Sequence, residues 1–233
     1  MKEKIMILIL VSFCFTVSRA QLEEKYVKGK IAINDSEILD RYIYIDFARP
    51  DLFQNSVSAI TEEVYEELKT TGKLKGKNIV RYKPGNISWF ELEDGARFTP
   101  SKYSDSGSMS LSSIPKSCFM ETLGQGKINL YKHYPSTIGF VSGSTAVMNN
   151  SELREYVKSH FTLLIIKGAG TPKDIDYVNL SKYVEDNQEV LEKFNSDYYG
   201  NLRTVFSKRL KLSAINHADH ESDLINLVND YNK

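Results

Sequence analysis

Cysteine is nearly absent from this chain of 233 residues, which contains only two. Cys14 lies in the apolar stretch at the N-terminus, so we expect Cys118 to be the single cysteine once that stretch is removed. A disulfide within one mature chain is then excluded. The apolar neighbours of Cys118 in SCFMETL predict a buried, unreactive thiol, while pairing between two chains stays the alternative.

An excess of charge is also lacking, because 30 lysines and arginines balance 30 aspartates and glutamates. The chain therefore has no overall basic surplus of the kind that nucleic-acid-binding proteins use. Phosphate-binding glycine loops are missing too, since neither GxGxxG nor GxxxxGK(S/T) occurs. We predict no nucleic-acid partner and no cofactor.

Long apolar runs are confined to the start of the chain. Residues 1–20 have the pattern of a secretory signal peptide, with Lys2 and Lys4 ahead of a largely apolar stretch of thirteen residues and with Ser18 and Ala20 at the expected cleavage site. That run falls short of the roughly 20 residues that span a bilayer. We expect export to the periplasm, the outer-membrane surface or the medium, with no transmembrane segment after cleavage.

Residues 21–170 predict a β-rich domain, because apolar residues recur there mostly at every second position. The stretch RYIYIDF is typical of a half-buried strand, and Asp94-Gly95 in ELEDGARF predicts a hairpin turn. CFMETLGQGKINLYKHY predicts a second hairpin around Gly124 and Gly126.

Helical spacing occurs in two parts of the chain. SAITEEVYEELKTTGK has apolar residues four positions apart, which predicts a surface helix that ends at Gly72. Residues 171–233 show apolar stripes at helical spacing in LSKYVEDNQEVLEKF and in DLINLVNDYN. We therefore predict an α+β fold, in which an antiparallel sheet or a partly open barrel carries the C-terminal helices on one side.

The stretch NHADHESD, residues 216–223, resembles a metal site. His217, Asp219 and His220 match the last three positions of the HxHxDH motif of metallo-β-lactamase-like hydrolases. Ile215 stands where that motif has its first histidine, and only thirteen residues follow His220. The chain thus lacks both a ligand and the downstream domain that completes such a zinc site.

Helix capping explains the same residues without a metal. Asp219 or Ser222 can cap the last helix, and the acidic residues beside them suit its positive end, which would leave both histidines exposed. His133 or His160 could complete a looser zinc site if the fold brought one of them close. We predict no metal site, with that arrangement as the alternative.

Catalytic residues have no recognisable setting in the sequence. GFVSGST offers Ser142 and Ser144, but without the G-x-S-x-G spacing of a nucleophile elbow, and no spacing singles out one of the four histidines as a base. A cysteine nucleophile at Cys118 would need an electropositive, partly exposed thiol, and Lys116 is the only basic residue near it. No catalytic residue is predicted.

Tyrosine is plentiful, with 14 residues against one tryptophan. YIY at 42–44 and YKHY at 131–134 could line a groove for a sugar or a peptide, since aromatic faces stack on such ligands. Tyrosine is equally suited to the half-exposed face of any sheet, which is the simpler interpretation. We assign no binding residue on this basis.

Several segments follow one another in a characteristic order: the leader, GKIAI, ISWFELEDGARF, CFMETLGQGKINLYKHY with its F-x-x-x-L-x-x-G-x-x-x-L-Y pattern, LSKYVEDNQEVLEKF and DLINLVNDYN. In this order the chain resembles a group of uncharacterised exported proteins common in Bacteroidota, which pair a strand-rich front with a helical tail. Residues 46–75, with their acidic helix, depart from the pattern. The resemblance implies a Gram-negative envelope location and no functional residue.

These observations favour a non-catalytic envelope protein that binds a protein partner or a small ligand through its sheet or its serine-rich residues 101–113. The alternative is a secreted hydrolase whose catalytic residues are dispersed in the sequence and meet only in the fold. A binding module predicts an apolar patch or an aromatic groove. A hydrolase predicts a deep pocket in which a serine or a carboxylate meets a histidine.

Overall fold

The computed structural model of the chain describes residues 24–103, 115–135, 148–206 and 215–233. The predicted signal peptide, the stretch GFVSGST and most of the serine-rich run lie outside these residues. In the part that is described, no helix is long and apolar enough to cross a membrane.

Ten strands of the described residues form one antiparallel sheet. They are β1 Tyr26–Ala32, β2 Ile38–Tyr44, β3 Val57–Ile60, β4 Val80–Tyr82, β5 Trp89–Leu92, β6 Arg97–Tyr103, β7 Lys116–Gly124, β8 Ile128–His133, β9 Thr162–Lys167 and β10 Lys173–Asp174. Their order is β10-β9-β8-β7-β6-β5-β1-β2-β3-β4, so the sheet is open and β10 and β4 are its edges. The predicted hairpins β5–β6 and β7–β8 are present.

Seven helices accompany the sheet within the described ranges, and the predicted α+β fold is confirmed. They are α1 Asp51–Gln54, α2 Glu62–Thr71, α3 Asn150–Ser159, α4 Leu180–Val184, α5 Gln188–Asn195, α6 Leu202–Phe206 and α7 Glu221–Asn232. Helix α2 begins where the Thr61 hydroxyl accepts the amide of Val64, and it ends at Gly72, whose φ of 67° is left-handed.

Two helices besides α2 lie inside the region for which strand spacing was predicted. Helix α3 begins with a capping box, in which Asn149 and Glu152 each accept a backbone amide of the other. Helix α1 has only four residues, too short for apolar periodicity to reveal it. The sequence predicted neither of these two helices within the β-rich region.

One face of the sheet, the inner face, carries the main hydrophobic core. Ile31, Phe90 and Phe98 are fully buried there, and the apolar residues of helices α4 to α7 belong to the same core. Phe53 of α1 enters it edge-on to Phe98, with ring centroids 5.8 Å apart. Burying an aromatic side chain of this size stabilises the fold by about 1.5–3 kcal/mol, so even the short helix α1 is firmly anchored.

The opposite face, the outer face, is covered by helix α2 over strands β1 to β3. Tyr26, Ile60 and Leu68 form a small buried cluster between the helix and the sheet. Tyr42 stacks on Tyr65 of the helix with a centroid distance of 3.8 Å. The acidic helix predicted from sequence is therefore a cover for one end of the sheet, with its glutamates in solvent.

The C-terminal residues 171–233 continue the sheet before they turn helical, because β10 pairs with β9. Helix α7 then lies against β7 and β8. At its end the side chain of Asn232 accepts the amide of Ile128 at 3.0 Å and donates to the carbonyl of the same residue at 2.8 Å. This pair of hydrogen bonds fixes the last helix to the strand beneath it.

Candidate functional site

A row of four side chains crosses the outer face where strands β1 to β4 end. Tyr26 of β1 is the register partner of Tyr44 in β2, and Ser58 of β3 is the partner of Arg81 in β4. Because Tyr42 pairs with Ile60, the next step of the antiparallel ladder puts Tyr44 beside Ser58. Directly opposed residues share a face, so the four side chains form one strip across the sheet.

A cleft of about 500 Å³ lies over this strip. Helix α1 and the residues after it supply one wall, with Asp51, Leu52, Asn55 and Ser56. The segment after helix α2 supplies the other wall, with Leu74 and Ile79. A volume of this size, walled by aromatic and aliphatic groups with a few polar ones, is typical of a site for a small molecule.

The local sequence explains why the second wall folds back over the sheet. Gly72 ends helix α2 in a left-handed conformation, and a single 3-10 turn at Gly76–Asn78 reverses the chain before β4. Leu74 and Ile79, on either side of that turn, pack against the cluster around Tyr26. The wall is therefore held by apolar contacts.

Tyr26 and Tyr44 lie next to each other in the lining of the cleft. Their rings meet edge to face with centroids 5.3 Å apart. Burial raises the pKa of Tyr26 to about 12, an effect that Tyr44 reinforces and the positive charge of Arg81 opposes. The Tyr26 hydroxyl is thus a hydrogen-bond donor and acceptor and not a nucleophile.

The carboxylate of Asp51, which lines the cleft, is not fully hydrogen-bonded within the described structure. Its Oδ1 atom is shielded from solvent and has no hydrogen-bond partner among the described residues. A buried acceptor left without a donor costs about 1–3 kcal/mol, so such groups are rare without a reason. Arg81, across the cleft, forms no ion pair with a carboxylate in the described part of the chain.

The lining of the cleft, as far as it is described, suits the binding of a ligand but does not contain a recognisable set of catalytic residues. It contains one cationic and one anionic side chain, two phenols, two serines and an amide, with neither histidine nor cysteine among the lining residues. Acyl transfer by serine needs a base within hydrogen-bond reach of the hydroxyl. The lining contains instead the separated donors and acceptors from which a ligand site is built.

The residues of NHADHESD lie at and before the start of helix α7, and within the described structure His217 is the member of this stretch that joins a group of potential metal ligands. His217 is only 6% exposed, so the prediction that both histidines are exposed is wrong for this one. The helix takes His220 as its N-cap residue without a side-chain hydrogen bond, so capping by Asp219 or Ser222 is also wrong. His217 is buried because it packs against β9, where it accepts the amide of Leu163. No local pattern in the sequence indicates this long-range contact.

His217 does meet two carboxylates, those of Asp174 and Asp176, with the potential ligand atoms within 4.8 Å of one another. The amide of Leu163 donates to Nδ1 of the ring at 2.8 Å, so the ring proton sits on Nε2, 3.2 Å from Asp176. A metal-bound histidine normally donates its other ring N–H to an acceptor, whereas here Nδ1 already accepts. The arrangement is that of a core histidine with both nitrogens satisfied.

The other two histidines considered as ligands lie apart from this group. His133 stacks on Tyr103 with a centroid distance of 4.2 Å. His160 ends helix α3, where its Nδ1 lies 2.8 Å from the carbonyl of Tyr156 and 3.0 Å from the hydroxyl of Ser159. Neither joins His217 in the metal-ligand geometry found among the described residues.

The contact between Ser159 and His160 does not make a nucleophile and base. Both residues are exposed at a helix end, and the serine hydroxyl also donates to backbone carbonyls of its own helix. Ser142 and Ser144, the serines singled out from sequence, lie outside the described residues. Cys118 is buried as predicted, and burial raises the pKa of its thiol to about 11.

A buried ionic network on the inner face is structural. The ammonium of Lys132 lies 2.7 Å from Glu221 at the start of α7 and 3.8 Å from Glu121 of β7. The Tyr134 hydroxyl donates to Glu121, and burial together with that carboxylate raises the pKa of the tyrosine. Each charged side chain of this network has a partner within it. The network therefore holds the last helix against the sheet, and we assign no ligand to it.

One residue of the two tyrosine-rich stretches considered from sequence as groove residues lines the cleft. Tyr44 belongs to the YIY stretch and lies in the cleft, whereas Tyr42 is stacked under helix α2. Tyr26, Ser58 and Arg81 were missed, since no local pattern shows that three further strand ends meet at this point. Alternation along β2 marks Tyr44 as outward-facing, which was the one available signal.

No protein-family model, no curated protein and no solved structure matches the chain. The resemblance to exported Bacteroidota proteins is not tested by these comparisons and stays a prediction. The assignment of a site therefore depends on the geometry of the cleft.

Proposed function

We propose that this protein is an exported, non-catalytic binding protein of a bacterial cell envelope, and that the outer-face cleft is the site at which it takes up a small ligand. The observation that carries the proposal is a cleft of about 500 Å³ lined by two tyrosines, aliphatic side chains, one acidic and one basic residue. A ligand in this cleft can pack against the apolar groups and pair with the polar ones.

The rest of the cleft supports binding in the same way. Tyr26 and Tyr44 offer ring surface and hydroxyls, and Ser58 and Arg81 add donors along the same strip. These groups lie on paired strands, whose ladder fixes the positions of their backbones relative to one another.

The location half of the proposal is supported by the leader-like residues 1–20 and by the resemblance to exported Bacteroidota proteins. Fractionation of cells that express the full chain tests it directly. We expect the protein in the periplasmic or outer-membrane fraction, shortened by about the length of the leader. Full-length protein in the cytoplasm would contradict this half alone.

The binding half is tested by titrating the leaderless protein, labelled with ¹⁵N, with a panel of monosaccharides, disaccharides, amino acids and dipeptides. We expect at least one probe to shift the amide signals of residues around the cleft in a saturable manner. The variant Ser58→Trp, which fills the strip, should abolish the shifts. Ser117→Trp, at an exposed position of β7, is the matched control and should retain them.

Two outcomes would contradict the binding half. One is saturable binding that Ser58→Trp leaves intact while the variant remains folded, because the ligand would then sit elsewhere. The other is turnover of an ester, glycoside or peptide substrate by the purified protein, since the lining residues offer no catalytic group.

A further inference from the structure

We infer that the ligand of the outer-face cleft is a small zwitterion with an apolar side chain, namely a free amino acid or a short peptide. Its carboxylate would lie against Arg81 and its ammonium group against Asp51. The inference rests on the proposed function, because it names the class of ligand for the same cleft.

The two charges of the cleft are opposite and lie on different elements. Arg81 belongs to the edge strand β4, and Asp51 to helix α1 on the facing wall. Neither is neutralised by the other, since no ion pair joins them in the described structure. A ligand that carries both charges at its two ends can pair with both side chains at once, whereas a ligand with a single charge pairs with only one of them.

Arg81 is suited to a carboxylate. A guanidinium presents its donors in a planar fork that matches the two oxygens of a carboxylate. The hydroxyl of Ser58, on the adjacent strand and the same face, supplies one more donor beside it. Lys25, which directly precedes β1, is paired with Asp46 at 2.6 Å.

Asp51 is suited to an ammonium group. A carboxylate accepts hydrogen bonds and an ammonium group offers three donors, so the Asp51 side chain in the lining can pair with the cation of the ligand. The Asn55 side chain, one turn further along, offers an amide oxygen that can accept a second of these donors.

The aliphatic walls decide between a peptide-like ligand and a neutral sugar. Leu52, Leu74 and Ile79 offer no hydrogen bonds and cannot compensate sugar hydroxyls that lose water. They do match an apolar side chain. The volume of about 500 Å³ corresponds to roughly 15 water-sized groups at about 30 Å³ each, which accommodates an amino acid or a dipeptide.

Isothermal titration with leucyl-alanine and two blocked derivatives tests this assignment. N-acetyl-leucyl-alanine lacks the cation, and leucyl-alaninamide lacks the anion. We expect the free dipeptide to bind at least tenfold more tightly than either derivative. Maltose serves as the neutral probe and should bind more weakly than the dipeptide.

Two variants link each ligand charge to one residue. Arg81→Gln should weaken binding of the free dipeptide at least tenfold and remove the preference over the amide. Asp51→Asn should do the same for the preference over the acetylated form. Arg203→Gln and Asp35→Asn, at exposed positions away from the cleft, should leave all affinities within twofold. Circular dichroism spectra that match the wild type establish that each variant is folded.

The outcomes separate the two proposals. If maltose or another neutral sugar binds, is blocked by Ser58→Trp, and is indifferent to Arg81→Gln and Asp51→Asn, the zwitterion assignment is wrong and the cleft remains the ligand site. If the free dipeptide and both derivatives bind equally, the zwitterion assignment is likewise wrong. If no probe of either class binds, both the assignment and the proposed function are overturned.

Discussion

Gln54 determines whether helix α1, and with it one wall of the cleft, stays in place. Its side chain is buried, donates from Nε2 to the carbonyl of Tyr134 at 2.8 Å and accepts the amide of the same residue at 2.8 Å. The substitution Gln54→Leu keeps the volume and removes both hydrogen bonds. The backbone N–H and C=O of Tyr134 are then buried without these partners.

The magnitude follows from those two groups. Each buried backbone group without a partner costs about 1–3 kcal/mol, so we expect a loss of about 2–6 kcal/mol in the free energy of unfolding. For a chain of this length 1 kcal/mol corresponds to about 2–4 °C in Tm, so the expected decrease is on the order of 5–20 °C. Since Asp51 lies on the same helix, dipeptide binding should weaken as well.

Urea unfolding, followed by the fluorescence of Trp89 and by circular dichroism, measures the free energy. Gln188→Leu is the matched control, because Gln188 is exposed on helix α5 and bonds only to Glu192 of its own helix. It should change stability by less than about 0.5 kcal/mol. An equal effect of the two substitutions, with unchanged m values, would refute the role given to Gln54.

Two further predictions concern acid stability and zinc. Burial would raise the pKa of Asp46, but the hydrogen bond and charge of Lys25 outweigh it and hold the pKa below its ordinary value. The stabilisation that this pairing provides is therefore complete above the unfolded-state pKa of about 3.9 and is lost as the pH falls through the lower folded-state value. Asp46→Asn should accordingly destabilise the protein at pH 7 and much less at pH 2, as measured by urea unfolding at both pH values. Zinc chloride should leave Tm unchanged, because Nδ1 of His217 accepts an amide and Nε2 carries the ring proton; a zinc-dependent rise in Tm that Asp176→Asn abolishes would show the opposite.

The elements of the fold that sequence predicts best are those with a strong local signal. The turn at Asp94-Gly95 requires a positive φ, which is 89° at the glycine, and Asp-Gly is the dipeptide that favours it. The helix ending at Gly72 has four-residue spacing, a threonine cap and a C-terminal glycine, and all three agree. Where several local preferences favour the same secondary structure, the tertiary contacts do not have to change it, and prediction from sequence succeeds.

Sequence could not predict the candidate site, because it depends on strand order. Tyr26, Ser58 and Arg81 are separated by dozens of residues and become neighbours only when β1 to β4 pair in one register. A shift of one residue in any pair would turn one of these side chains to the other face. The stretch NHADHESD shows the converse, because it is conspicuous in the sequence but does not form one site. His217 is buried and accepts the amide of Leu163 in β9, and this hydrogen bond involves no other residue of the stretch.

Asp46 and Asp51 show what sets the cleft apart from the rest of the polar interior. Asp46 is buried, yet Lys25 lies 2.6 Å from one of its oxygens, and the other accepts the amide of Ala48 and lies 3.3 Å from Arg154. Asp51, five residues further along the same connection, has a buried oxygen with no such partner among the described residues. The same segment therefore satisfies one carboxylate fully and leaves its neighbour incomplete at the edge of a cleft. Asp46 is thus part of a structural ion-pair cluster, whereas Asp51 lines the cleft and is the carboxylate to which we assign ligand binding.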